Sequence, residues 1–213
     1  MDYGSGDCFM ISCLIKEINE FNFIAVDKNY NSNQISKLKS FLKRTEIYTN
    51  HNSIDLSNHK INIVLMLDVI EHIENPLIDL RELYCHPSIE NDAIFIITVP
   101  AFEFLMTKHD MRLGHHRRYN LRTLTRLIKK TGFSVIECGY LFQSAFLIRS
   151  LQKISEKLFN TDNVGAINNY KHSDIKDSFL SRLFINEYNM FWSLGKKNNA
   201  YIPGLTACVI CQK

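Results

Sequence analysis

A chain of 213 residues with 46% apolar and 22% charged side chains has material for one substantial core, which excludes a disordered or low-complexity protein. The formal charge of +3 argues by itself for no particular partner, and no apolar run reaches transmembrane length. Cys8, Cys13, Cys85, Cys138, Cys208 and Cys211 lack the short, even framework of a disulfide-stapled secreted domain, so a reduced, cytoplasmic setting is expected.

The chain opens on Met1-Asp-Tyr-Gly-Ser-Gly6, which predicts a tight turn entering a helix over 9–18. Glycines there permit positive φ and let backbone approach a ligand closely. Phe23–Val26 is a short apolar strand ending in Asp27. That acid follows the glycines by about twenty residues, where a nucleotide-binding α/β site places a carboxylate on ribose hydroxyls. Ile35, Leu38, Phe41 and Leu42 have helical spacing over 34–42, residues 46–49 form a weak strand, and 50–60 read as polar loop.

Ile61–Leu67 is an almost unbroken apolar run, read as a parallel strand buried on both faces. Asp68, Glu71 and His72 follow at i, i+3, i+4, just past the carboxyl end where ligands bind in open α/β sheets. The bland reading makes Asp68 an N-cap with Glu71 at the third helical position. A helix over 77–84 and a second apolar strand, Ala93–Pro100, come next. Strands alternating with helices imply a parallel sheet with right-handed crossovers.

Residues 101–120 join that strand to a helix over 121–131, so they border the same crevice. They contain His109, Asp110, His115, His116, Arg117, Arg118 and Tyr119. From Lys108 to Lys130 there are eight Lys or Arg against one acid, Asp110, an excess that favours an anionic group nearby. The bland reading is a basic surface loop with Tyr119 as a packing anchor. Leu124, Leu127 and Ile128 point inward, Gly132 is the C-cap, and a strand follows over 133–138. Roughly 65 residues then precede the last strand, Thr206–Gln212, far beyond the 2–5 of a hairpin loop. Within them, 146–159 and 179–194 carry apolar residues at helical spacing, as for two helices packed on each other. Cys208 and Cys211 lie i, i+3 on a strand, on opposite faces, so they are read as buried thiols and not as a metal pair.

Asp2-Tyr-Gly-Ser-Gly6, the acid Asp27, Asp68-Val-Ile-Glu-His72 after an apolar strand, and His109-Asp110 followed by Gly114-His-His-Arg-Arg-Tyr119 together resemble class I methyltransferases dependent on S-adenosyl-L-methionine (SAM). The nearest likeness is to bacterial members that modify small molecules or glycan and lipid precursors. The resemblance implies an α/β, Rossmann-like, doubly wound sheet, mostly parallel, with an antiparallel last strand. It implies a SAM-binding domain over 1–140 plus 203–213 and a helical insertion, or lid, over 141–202. SAM would be held by Asp2, Gly4, Ser5, Gly6, Asp27, Asp68 and Val69. The acceptor would meet His109, Arg117, Arg118 and Tyr119. Two departures stand out: Cys8 takes the third glycine position, and the first strand retains only Met1–Tyr3, as in a truncated chain or one with a misplaced start.

Methyl transfer from a sulfonium is an in-line displacement, so the protein aligns the acceptor and removes its proton. Transfer to oxygen is expected, with His115 as base and Glu71 and His72 beside it. A divalent metal on Asp68, Glu71, His72 and a histidine of the later loop is the less favoured device, and no metal ligands are assigned. The expected partner is an anionic small molecule and not nucleic acid, and peripheral membrane contact stays open. The rival functions are a non-catalytic or inactive SAM-fold subunit and an NAD-dependent oxidoreductase.

Overall fold

The computed structural model describes residues 1–54, 59–159, 179–192 and 201–213. In chain order the elements begin β1 (Asp2–Tyr3), α1 (Phe9–Glu17), β2 (Phe23–Val26), α2 (Ser32–Phe41), β3 (Thr45–Tyr48) and β4 (Ile61–Leu67). Then come α3 (Pro76–Cys85), β5 (Ile89–Pro100), α4 (Lys108–Arg112), α5 (Leu121–Thr131) and β6 (Ser134–Leu141). The remainder is α6 (Gln143–Phe159), α7 (Phe179–Glu187), a π turn (Tyr188–Trp192) and β7 (Thr206–Gln212). Seven strands form one sheet in the order β3-β2-β1-β4-β5-β7-β6. β7 runs antiparallel to both β5 and β6, and every other pairing is parallel. This is the Rossmann-like, doubly wound α/β sheet with an antiparallel last strand.

Helices start where short polar side chains can satisfy the free amides of the first turn. Asn31 with Gln34 and Asn120 with Thr123 form reciprocal capping boxes on α2 and α5. Gly132 closes α5 at φ 120°. Val64 and Met66 of β4 and Phe95, Ile97 and Val99 of β5 join Leu80 and Leu83 of α3 and Leu124 and Ile128 of α5 in one core. Each such side chain, fully buried, contributes about 1.5–3 kcal/mol. A smaller cluster of Cys8, Ile11, Ala25, Tyr30, Leu42 and Ile47 packs α1 and α2 onto β2 and β3. Among the described residues no helix is long and apolar enough to cross a membrane.

Two readings of the chain are corrected here. β4 is not buried on both faces throughout: Asn62 is exposed and Ile63 is 41% exposed. β1 pairs with β4 at Asp2↔Leu65, and among the described residues no strand pairs with the first part of β4 on that side. An apolar groove of about 1030 Å³ lies there, lined by Ile11, Leu14, Phe23, Ile24, Ile61 and Ile63. The second concerns only the end of the 179–194 stretch. Among the described residues α7 does meet the start of α6, where Phe142, just before α6, lies 4.9 Å from Phe184 and the Ser144 amide donates to Glu187 Oε1 at 3.0 Å. Trp192 of the π turn packs on β6, donating from Nε1 to Glu137 Oε1 at 2.9 Å. Gly139 makes that possible, because a Cβ there would lie 2.8 Å from the indole ring. The proposed lid over 141–202 falls partly outside the described residues, at 160–178 and 193–200.

Candidate active site

The turn after β1 is shaped by its glycines. Gly4 holds φ 79°, and a Cβ on it would lie 2.5 Å from Val69 Cγ2, so only glycine lets the turn close on the segment after β4. The amides of Gly4 and Ser5 donate to the Val26 carbonyl at 2.7 and 3.1 Å, which binds the turn to the carboxyl end of β2. Asp27 stands at that end and accepts the amides of Gly6 and Asn29, both at 2.9 Å. A carboxylate has about four lone-pair sites, so two amide bonds leave it able to accept more. Tyr30 Oη lies 2.8 Å from Ser5 Oγ and 2.9 Å from Cys8 Sγ, so the residue at the third glycine position is a buried partner of that tyrosine. Asp2 is buried beneath the turn, and burial pushes its carboxyl up to about 6.

Asp68 does not cap a helix. It adopts φ 54°, its side chain accepts from Thr98 Oγ1 of β5 at 3.3 Å, and the short turn Ile70–His72 has no side-chain cap. Burial raises its pKa. That left-handed kink turns the chain sharply at the end of β4 and carries Glu71 inward. Glu71 is 0% exposed, and neither carboxylate oxygen has a hydrogen-bond partner. Burial, with Asp68 adding to it, pushes the carboxyl up to about 8. A lone buried carboxylate is costly, so it holds a proton or faces a cation.

The loop after β5 brings the complementary groups. The His116 amide donates to the Glu71 carbonyl at 2.8 Å. The rings of His72 and His115 meet edge-on, 4.5 Å apart. One donor atom each from Glu71, His72 and His115 lie within 4.8 Å of one another, a set that could hold a metal ion. His115 Nδ1 is 3.3 Å from Asp110 Oδ1, an ion-pair distance without the alignment of a hydrogen bond. Burial and then His72 lower the His115 pKa, with Asp110 opposing them, which favours the neutral ring.

The basic residues divide sharply. Arg118 is half-buried and donates to Asp110 Oδ1 and Oδ2 at 2.9 and 3.0 Å and to the Ala101 carbonyl at 3.1 Å, so it braces the loop. Burial pushes the Asp110 carboxyl up, but hydrogen bonds from Arg118 and Thr107 outweigh it and hold the pKa below the usual value. Arg117 spends one donor on the Glu74 carbonyl at 2.8 Å. His109 is exposed on α4. Tyr119 is a buried anchor whose backbone bridges to Ala101 beside β5. The structure thus gathers Glu71, His72 and His115 and leaves His109 outside the cluster. The role of Asp110 was missed in the sequence, although a lone acid among eight cations, three residues after Thr107, carries the signal.

A family model described as a methyltransferase domain matches residues 1–138. A comparison with curated proteins found no match. Among solved structures, the plantazolicin methyltransferase BamL, bound to a triazolic desmethylPZN analog and SAH, is similar with a TM-score of 0.57 at 12% identity, over 100% of this chain and 75% of that one. A SAM-dependent methyltransferase from Archaeoglobus fulgidus gives 0.52 at 16% identity, over 100% and 84%. The protein bound to the Haloferax volcanii Trm112 methyltransferase activator gives 0.57 at 11% identity, over 99% and 79%. At these identities the structural likeness is one of fold.

Proposed function

The chain belongs to the methyltransferase domain family and is a SAM-dependent enzyme, and we propose that it methylates an anionic small molecule at oxygen with His115 as the base. One observation carries this reading: the half-buried His115 imidazole beside Glu71 and His72 at the carboxyl edge of the sheet. SAM, when bound, supplies an electrophilic methyl group on a sulfonium. The tight turn at Gly4 and Gly6 leaves room for backbone close to the methionine part. Asp27 has acceptor capacity for the ribose hydroxyls, and Asp2, Ser5, Asp68 and Val69 complete the surround. His115 takes the proton of the acceptor hydroxyl, and Asp110 behind it stabilises the imidazolium. General-base help of this kind contributes about 10²–10⁴-fold. Arg117, which donates to the Glu74 carbonyl and lies beside Tyr119, uses its further donors to pair with the acceptor's anionic group. The SAM-binding part comprises 1–140 plus 203–213, with 141–202 as an inserted lid.

A second reading has a specific observation in its favour. The unpartnered, fully buried Glu71 carboxylate next to two imidazoles fits a divalent cation, with Glu71, His72 and His115 as ligands. A metal there would act as a Lewis acid toward the acceptor oxygen. The deciding measurement is tritium transfer from labelled SAM to a panel of hydroxy acids and sugar phosphates, with and without EDTA. His115→Ala should lower transfer by about 10²–10⁴-fold. EDTA-insensitive transfer removes the metal reading, and full activity in His115→Ala removes both.

A further inference from the structure

β6 runs parallel to β5, since β7 is antiparallel to each, so their carboxyl ends lie on the edge that carries the His115 cluster. At that edge, two residues past β5, Phe102 holds φ 60° and ψ 112°. A bulky residue rarely adopts that conformation and keeps it only where its surroundings over-determine it. Its amide donates to the Tyr119 carbonyl at 2.7 Å, and its carbonyl accepts the Leu105 amide at 2.9 Å. The ring stacks on Tyr140 at 5.0 Å with 23° between planes, and lies 5.1 Å from Phe146 of α6 and 5.7 Å from Phe104. Tyr140 closes the inner side, where its hydroxyl accepts the Leu121 amide at 3.1 Å. The outer side is open: Phe104 is 59% exposed despite its ring neighbours.

This aromatic shelf is continuous with the loop that bears His115. Glu103 Oε2 accepts the Arg118 amide at 2.9 Å, and the Arg118 guanidinium holds Asp110, which faces His115. Lys153 of α6 donates to the Met106 carbonyl at 3.2 Å, fixing Phe146 over the same segment. The strained Phe102 backbone, tied to the loop that bears His115, thus holds a half-buried ring against Phe146 with the exposed Phe104 beside it.

We propose that Phe102, Phe104 and Phe146 form the acceptor's docking shelf, and that the acceptor carries an aromatic ring stacked there. This rests on the reading of an anionic hydroxyl acceptor above and adds the chemistry of its body. Aromatic rings gain offset or edge-on contacts that a saturated ring of similar area lacks. Titration calorimetry on the SAH-loaded protein, with 4′-hydroxybiphenyl-4-carboxylate and its bicyclohexyl counterpart as probes, tests it. The aromatic probe should bind about tenfold tighter than the saturated one, and Phe104→Ala should erase that difference while Phe104→Trp keeps it. Phe104 is exposed, so the alanine variant should melt with wild type; Phe146→Leu gives a second variant if it does not. Equal affinity for the two probes, no binding of the aromatic one, or an unchanged preference in both variants overturns the shelf. Weakening by Arg117→Ala with none from the Phe variants also overturns it but leaves the anionic acceptor standing. Weakening by the Phe variants with none from Arg117→Ala supports the shelf and sinks the anion instead.

Discussion

The Glu71 carbonyl accepts the His116 amide at 2.8 Å, and that bond ties the turn after β4 to the loop after β5. It draws His115 toward His72 through the backbone, while the Arg118–Asp110 pair braces the rest of the loop through side chains.

The two neighbouring arginines should part company on mutation. Arg118→Ala strands the buried Asp110 carboxylate and should cost about 3–5 kcal/mol in urea unfolding, as for a buried pair broken on one side. Arg117→Ala loses one hydrogen bond to a backbone carbonyl and should cost only about 0.5–1.5 kcal/mol, while raising the acceptor KM. Equal stability losses in the two variants would refute this division of labour.

Asp27→Ala removes the acceptor proposed for the ribose hydroxyls. SAM binding should weaken by about 1.5–3 kcal/mol, the range for hydrogen bonds to charged groups, as read by calorimetry on the folded variant. An unchanged affinity would move the ribose elsewhere.

Gly4→Ala brings both an unfavourable φ of 79° and a Cβ 2.5 Å from Val69 Cγ2. Strain of this kind costs about 1–3 kcal/mol. Adding Val69→Ala should recover the contact part of that loss in thermal melts and leave the backbone part. No recovery would show that Val69 yields freely.

Glu71 gives a pH signature. Its carboxyl titrates at about 8 when folded, against 4.5 ordinarily, so the folded state binds the extra proton between those values. Stability from this group is complete below about 4.5 and is lost as pH rises through about 8. In EDTA, wild-type melting should therefore fall between pH 5 and 8 more steeply than that of Glu71→Gln. Parallel curves would mean that Glu71 is already ionised.

How far the chain could be read depended on how local each signal was. Ile61–Leu67, Leu121–Thr131 and Thr206–Gln212 announce themselves by period and composition, and their bounds agree with the structure. Asp68, Glu71 and His72 were visible as a trio, but sequence spacing cannot show a left-handed kink. It therefore offered Asp68 as a cap when the kink instead turns its side chain to Thr98. The basic loop looked like one anion-binding patch because charge counts ignore burial. Only tertiary contacts separate the braced Arg118 from Arg117. The spacing over 179–194 points to a helix partner, yet Trp192 near its end lies on β6, since amphipathic spacing names a buried face and not what covers it.

β1 has a mechanical consequence. Among the described strands it alone lies between the β2–β3 pair and the rest of the sheet, through Asp2↔Ala25 and Tyr3↔Val26 on one flank and Asp2↔Leu65 on the other. A ligand held at Gly6, Asp27 and Val69, as proposed, would span β1 and act as a rivet between its two flanks. Amide hydrogen exchange in β2 and β3 should then slow on addition of SAM more than exchange in β5 and β7, because the proposed contacts lie at the ends of β1, β2 and β4.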